Sequence, residues 1–327
     1  MANVPMQKEK LITIIVPAYN EEENIVPLYE KLLDETNKFT GYIWELLYIN
    51  DGSTDQTKNR LEELRERNQD NNEKSGFGKE TTPQIEVSFI SLKKNQGKTE
   101  ALRQGIQKAQ GEIIITLDAD LQDDPKYIKD FLQEVEKPNV DFVVGNRTNK
   151  YAKNFAKKVS SWIANATANI LIGSPINDMN CGFKAMTMEC AKAITLKSDY
   201  HRYLPLLASI EGFRVTQVNI EQKERFSGES KYGKMGFGRF VNSLLDMLSI
   251  YFVYRFRKEP FRLFGRVGLV TFIVGILILT YLAIGWVFGH YIYGRPLFFL
   301  GILLSILGTN ILGMGLLGEI MVMNKKE

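Results

Sequence analysis

The stretch GEIIITLDADLQDDP (residues 111–125) sets an apolar run against a cluster of carboxylates. Residues 113–117 form a short, largely apolar run rich in isoleucine, the pattern of a strand buried on both faces. The run ends in Asp118, Asp120, Asp123 and Asp124. Like charges packed this closely repel, so something of opposite sign has to compensate them. Aspartates just before Pro125 suit the capping of a helix that starts there, which accounts for Asp123 and Asp124. Asp118 and Asp120 remain at the strand's tip. An Asp-x-Asp in that place offers the oxygen ligands of a hard divalent cation, Mg²⁺ or Mn²⁺, which takes one or two carboxylates plus substrate phosphates. Asp120 would be the main protein ligand, with Gln122 adding a neutral oxygen. The plain alternative is a solvated acidic loop.

Working outward, LITIIVP, WELLYIN, VSFISL and DFVVG read as further strands. Helical patterns lie between them at 22–39, 55–68, 98–109 and 125–135. This alternation predicts an α/β fold, a mainly parallel sheet with helices on both faces. Ligands of such sheets bind beyond the carboxyl ends of the strands, and the unusual residues collect there. PAYNEEEN follows the first strand, NDGSTD the second, KKNQGK the third and DADLQDD the fourth. Pro17, Ala18 and Tyr19 form an apolar ledge for a base, with Glu21 near a ribose. Asp51 can accept hydrogen bonds from a nucleobase N–H or a ribose hydroxyl, and Ser53 or Asp55 can cap the next helix. Singly, each reads as turn chemistry. Together along one sheet edge, they read as a nucleotide pocket with a metal for its diphosphate. The polar segment 68–84 reads as a mobile surface insertion.

A net charge of +3 does not suggest a nucleic-acid partner. Cys181 and Cys190 make no disulfide framework and suit a reducing compartment. The first apolar run, residues 11–16, is too short for a signal peptide. Two uncharged windows, within predicted spans 267–288 and 297–319, are each long enough to cross a bilayer as a helix. Arg255, Arg257, Lys258, Arg262 and Arg266 precede the first and Lys325 and Lys326 follow the second, whereas the connection holds Arg295 alone. The positive-inside rule then predicts a protein integral to the cytoplasmic membrane, with its N-terminal region and both termini cytoplasmic. Phe237, Phe240, Leu244, Leu248 and Tyr251 recur at helical steps and predict an amphipathic interfacial helix. The expected organisation is a catalytic domain at 1–231, interfacial helices at 232–263 and a transmembrane hairpin at 264–327. Gly308, Gly313, Gly315 and Gly318 allow close helix packing.

IVPAYNEEENI, YINDGSTDQT, KKNQGKTEALRQGIQKAQGEIIITLDADLQDDP, VVGNR, DMNCGFKAM and ERFSGESKYG, in this order, resemble the family 2 glycosyltransferases of GT-A fold. More narrowly they resemble the polyprenyl-phosphate branch, with dolichol-phosphate mannose synthase and the bacterial undecaprenyl-phosphate glucosyltransferases. The resemblance implies transfer of a sugar from a nucleoside-diphosphate sugar to a polyprenyl phosphate, with inversion, assisted by Mg²⁺ or Mn²⁺. It places Pro17, Ala18, Tyr19, Glu21, Asp51, Lys98, Asp118 and Ala119 on the donor nucleotide, and Asp120 and Gln122 on the metal. It places Arg147, Lys157, Ser161 and Arg225 on the acceptor phosphate, with Arg225 and Lys231 on a basic flap over the site. Asp118, Asp120, Arg225 and Lys231 are the implied catalytic set. By family analogy the chain would form a homo-oligomer, such as a tetramer. UDP is favoured over GDP by analogy with the two-helix bacterial members. Asn50 stands where the family usually has Asp, and Lys157 and Lys184 where Arg is usual, so bidentate phosphate geometry is lost there. Two rival classes fit less well. A processive polysaccharide synthase would carry a Gln-x-x-Arg-Trp motif, and no tryptophan here follows an arginine. A catalytically inactive nucleotide-binding partner would not need Asp118, Asp120, Arg225 and Lys231 together.

Overall fold

Seven strands form one sheet in the computed structural model of the chain, which describes residues 9–75, 85–148, 176–197, 200–223, 249–250, 252, 256, 259–291 and 296–324. The chain runs β1 (Lys10–Ala18), α1 (Ile25–Thr36), β2 (Tyr42–Asn50), α2 (Thr57–Ser75), β3 (Ile85–Ser91), α3 (Lys98–Lys108) and β4 (Ile113–Thr116). A 3₁₀ turn at Pro125–Tyr127 leads into α4 (Ile128–Val135), followed by β5 (Phe142–Arg147), β6 (Lys184–Thr187) and α5 (Met188–Ala193). A second 3₁₀ turn, Tyr200–Tyr203, precedes α6 (Leu204–Ile210) and β7 (Val215–Ile220). Two long helices, α7 (Pro260–Val287) and α8 (Pro296–Met323), complete the described chain.

The strand order is β3-β2-β1-β4-β6-β5-β7. β1 pairs in parallel with β2 and β4, as β2 does with β3 and β5 with β7. β6 runs antiparallel between β4 and β5, the one reversed strand in a sheet that is mainly parallel, as expected. The reversal matters for chemistry: Thr116, the last residue of β4, pairs with Lys184, the first of β6. The motif around Lys184 therefore begins at the edge where β1, β2 and β4 end. Ile12, Ile14, Ile15 and Val16 of β1 and Ile114 and Ile115 of β4 are wholly buried, as central strands covered on both faces require.

Helix starts follow local chemistry, with two corrections to the sequence reading. Asp124 accepts the Lys126 amide at 3.2 Å and Pro125 takes the first helical position, as expected. Asp123 does not cap; its side chain is buried beneath the turn. The predicted insertion at 68–84 is also revised, because α2 continues through Ser75. Asn68 is buried: its amide donates to the Ile85 carbonyl (3.1 Å) and its oxygen accepts from the Val87 amide (3.2 Å). Residues 76–84 lie outside the described chain.

The chain divides into two compact units, Met1–Asp246 and Met247–Glu327. The second contains α7 and α8, each of 28 residues, or about 42 Å at helical rise. Both are long and apolar enough to cross a membrane. Their apolar side chains face outward: Leu277, Val270, Leu303 and Leu317 are all at least 60% exposed. In a soluble protein such a surface would be an aggregation hazard, whereas in lipid it is solvated. α7 starts earlier than the predicted span, taking in Arg262 and Arg266. Glycines spaced seven apart line the seam between the helices: Gly268 and Gly275 on α7, Gly301, Gly308 and Gly315 on α8. A side chain at Gly275 would meet the Ser305 hydroxyl at 2.5 Å, so the helices touch almost backbone to backbone. Gly313, expected in the same role, has nothing within 4 Å of that position.

Candidate active site

The site is built from strand ends. β1 delivers Pro17, Ala18 and Tyr19; Ala18 is buried, and its carbonyl accepts the Asp51 amide at 2.9 Å. Asn20 holds this turn to the next one, accepting from the Thr54 amide at 2.8 Å and donating its own amide to the Ser53 hydroxyl at 2.9 Å. Glu21 is half-buried, and its carboxylate accepts from the Asn24 amide at 2.6 Å. Asp55, not Ser53, accepts the Thr57 amide (3.0 Å) where α2 begins. Asn50 bridges Ser91 (3.2 Å) and the Ser53 amide (3.0 Å), which gives the departure from Asp a structural role.

Asp51 is nearly buried, and its two oxygens accept the amides of Gln96 (2.7 Å) and Gly97 (2.8 Å). Burial raises its pKa, and the two amides oppose the rise. The carboxylate thus orders the loop ahead of α3, a job the sequence reading did not foresee beside base recognition. Gly52 supports the same contact: its φ of +66 is glycine's territory, and a Cβ there would strike the Lys94 backbone.

At the end of β4, Asp118 is ion-paired with Lys98, the first residue of α3. Burial alone would raise the Asp118 pKa, but Lys98, aided by Lys184, holds it below the usual carboxylate value. Lys184 itself is buried, donates to the Cys181 carbonyl, and is brought down to about 8 by burial and by Lys98. The opening puzzle of clustered carboxylates therefore has a protein-side answer in Lys98 and Lys184.

Asp120 and Gln122 flank Leu121, whose φ of +58 is costly for a branched side chain. The Gln122 amide donates to Asp120 at 3.3 Å, so both residues sit on one tight turn. Asp123, buried beside them, is pushed up to about 6 by burial and by Asp118 and Asp120. Residual negative charge is the environment in which a hard cation fits. Among the described residues no group of three or more His, Cys, Asp or Glu makes an all-protein metal cage. Asp120 with Gln122 is instead the sparse donor set that Mg²⁺ or Mn²⁺ completes with water and substrate phosphates.

Arg147 ends β5 and grips buried Asp178 through two hydrogen bonds, Nε to Oδ2 at 2.5 Å and Nη2 to Oδ1 at 3.0 Å. Its guanidinium pKa is raised, since Asp178 outweighs the burial that would lower it. Arg147 is therefore tied into the protein wall between β5 and the turn before β6. Asp178 opens the DMNCGFKAM motif, but its pairing with Arg147, distant in sequence, emerges only from the fold. Lys157, Ser161, Arg225 and Lys231 lie outside the described residues, as does the predicted interfacial helix with Phe237, Phe240, Leu244, Leu248 and Tyr251. The segment leading towards Arg225 is nevertheless fastened at its root. Gln222 forms a β-bridge with Asp123, the Lys223 amide donates to the Gln122 carbonyl (2.8 Å), and the Lys223 ammonium pairs with Asp124 (2.6 Å).

Two neighbours shape the Asp118 pocket. Gly182 lies against the carboxylate, and a Cβ there would sit 2.5 Å from Asp118 Cγ. Thr116 donates to the Gly182 carbonyl at 2.8 Å, and Phe183 stacks on Phe131 of α4 with centroids 4.2 Å apart. The Cys181–Gly182–Phe183 turn is thus a fixed shelf under Asp118.

Comparison with known proteins bears on this arrangement. Residues 13–203 match the sequence family described as Glycosyl transferase family 2. A dodecaprenyl-phosphate galacturonate synthase of Rhizobium johnstonii is 31% identical over 320 residues, covering 97% of this chain and 89% of that one. An undecaprenyl-phosphate 4-deoxy-4-formamido-L-arabinose transferase of Photorhabdus laumondii is 29% identical, covering 95% of this chain and 88% of that one. Among solved structures, mannosyl-3-phosphoglycerate synthase of Rubrobacter xylanophilus superposes with a TM-score of 0.51 at 14% identity, over 76% of this chain and 75% of that one. That likeness concerns the fold.

Proposed function

The chain belongs to glycosyltransferase family 2, and we propose that it moves a sugar from a nucleoside diphosphate onto the phosphate of a membrane polyprenol. The observation that carries this reading is the Lys98–Asp118 pair beside Asp120 at one sheet edge, in a chain that also bears a hairpin of lipid-facing helices. Both relatives named above act, by name, on a polyprenyl phosphate.

In this reading an oxygen of the lipid phosphate attacks the anomeric carbon. The bond from that carbon to the diphosphate breaks, the new bond to the lipid phosphate forms, and configuration inverts. A phosphate monoester has a second pKa of about 6 and is largely dianionic at neutral pH, so no strong general base is needed. The β1 and β2 ends hold the nucleotide through Pro17, Tyr19, Glu21 and Asp51. Lys98 and Lys184 face the anionic donor; Asp118, fixed between Lys98 and Gly182, orients it. Asp120 and Gln122 would hold Mg²⁺ or Mn²⁺, which supplies positive charge for the departing diphosphate. Arg147, Lys157, Ser161, Arg225 and Lys231 draw in the acceptor, Arg147 by shaping the wall through Asp178. Uridine is the favoured base. The arginines and lysines flanking α7 and α8 put the catalytic unit and both chain ends on the cytoplasmic side.

The test uses full-length protein in detergent with a panel of nucleotide sugars, undecaprenyl phosphate and Mg²⁺ or Mn²⁺. Release of nucleoside diphosphate should require the lipid. Asp120→Ala should lose transfer by at least about 10²-fold with its thermal midpoint retained. Lipid-independent release, full activity of Asp120→Ala, or a polymeric product would each refute the reading.

A further inference from the structure

We propose that His201, acting through the Thr99 hydroxyl, is the positioning residue that aims Lys98 at Asp118. The head of α3 is irregular. A helix start leaves amides unsatisfied, and a Ser, Thr, Asp or Asn usually covers one of them. Gly97 stands at that place, with φ +90 and no side-chain cap. A lysine in the first turn also faces the positive end of the helix. Lys98 nevertheless has to hold a four-carbon side chain on one carboxylate, against its own rotational freedom.

Two distant groups brace this helix start, one on each side of Lys98. Asp51, at the end of β2, binds the amides of Gln96 and Gly97. His201, in the 3₁₀ turn Tyr200–Tyr203, binds the side chain of Thr99. The Thr99 Oγ1 to His201 Nδ1 distance is 2.7 Å, and both residues are buried. The His201 backbone amide approaches the same hydroxyl at 3.5 Å. The hydroxyl has one proton and two lone pairs, so it serves Nδ1 as donor or as acceptor according to the ring tautomer, and either arrangement of the neutral ring holds Thr99. Neutrality also fits the surroundings. Lys98 from α3, Lys184 from β6 and Arg202 from the same turn all oppose a proton on the ring, and Asp118 from β4 favours one more weakly. The imidazole therefore anchors Thr99 without competing with Lys98 for Asp118. Thr99 follows Lys98 directly, so fixing one fixes the backbone from which the other projects.

An ordinary buried histidine that merely fills space predicts something different, and the two are separable. Full-length protein in detergent is exposed to limiting acetic anhydride, and acylation of individual lysines is read by mass spectrometry. Lys58, exposed on α2, is the reference, and buried Lys184 reports general loosening. Thr99→Val and His201→Phe keep shape but lose the hydrogen bond; Thr99→Ser and His201→Asn retain a partner of the right kind. Lys98 should acylate about tenfold faster in the first two variants and near the wild-type rate in the second two, with Lys184 protected throughout. Unchanged Lys98 labelling in Thr99→Val and His201→Phe overturns the inference. So does joint exposure of Lys98 and Lys184, which marks a purely structural role. The importance of the clamp for catalysis rests on the function proposed above. The labelling outcome needs no turnover, so failure of wild-type transfer would sink that function and leave the clamp to be judged on its own.

Discussion

Asp118 is held by Lys98 and Gly182, residues of quoted motifs whose contact with it only the fold supplies. Its position at a strand tip was legible, as were Asp120 and Asp51, because strand ends and turn residues carry short-range signals. The pairings of Lys184, Asp178 and His201 were not, since Asp118, Arg147 and Thr99 lie far away in sequence and only topology joins them. Asp123 was misread for a related reason: two adjacent aspartates before a proline look alike, yet one caps the turn and pairs with Lys223 while the other is buried. Gly182 offers a direct test of the shelf. Gly182→Ala places a methyl 2.5 Å from the Asp118 carboxyl carbon, and the carboxylate is the mobile partner. Transfer should fall by about 10²-fold, as a misplacement of about 1 Å can cause, with the thermal midpoint little changed. A fully active Gly182→Ala enzyme would remove Asp118 from the mechanism. His201 gives a pH signature. Burial, with Lys98 and Lys184, depresses its pKa to about 2 from an ordinary 6.5. The unfolded chain takes up this proton below about pH 6.5 while the folded chain resists it. The stabilisation is complete above that pH and is lost as pH falls, at up to about 1.4 kcal/mol per pH unit. His201→Asn lacks this term, so its thermal midpoint should decline less steeply than wild type between pH 7 and 5. Parallel declines would show that His201 is not buried as a neutral base.

Among the elements, long and strongly patterned segments were legible and short or polar ones were not. β1, β2 and β4 are runs of Ile, Val and Leu that hardly allow another reading. β6 has four residues and lies in a motif whose glycine and lysine obscure any strand pattern. It appears only because β4 and β5 provide ladders on both sides. α2 was cut short because residues 68–75 are polar, yet Asn68 shows why the helix has to continue. β3 is an edge strand, and an open edge exposes unpaired amides and carbonyls. The Asn68 side chain pairs one of each, imitating a residue of a further strand, and its amide also reaches the Tyr29 hydroxyl at 3.2 Å. Asn68→Leu would leave the Ile85 carbonyl and Val87 amide without this partner. A loss of about 2 kcal/mol follows from stranding such groups, read as a lower midpoint in chemical unfolding. An unaltered midpoint would mean that the edge is closed by other means.

At the scale of the whole molecule, the described site residues lie in the unit Met1–Asp246, while the two long helices with outward apolar side chains lie in Met247–Glu327. The two apolar helices were readable from charge alone, because helices able to span lipid exclude charged side chains over about 20 residues. The separation has a kinetic consequence. An anchor adds no group to the chemistry; it confines enzyme and long-chain acceptor to one surface, raising their effective concentration. Tethering of this kind is worth about 10² to 10⁴ in apparent affinity. Removing residues 259–327 should therefore leave nucleoside-diphosphate binding, measured by calorimetry, close to that of the intact chain. Transfer to undecaprenyl phosphate in vesicles should fall by about 10²-fold or more. Transfer to a short, water-soluble polyprenyl phosphate, which gains nothing from the surface, should fall far less. Equal loss on both acceptors would place part of the catalytic apparatus in the hairpin, and the seam of Gly268, Gly275, Gly301, Gly308 and Gly315 would then need a role beyond packing two helices together.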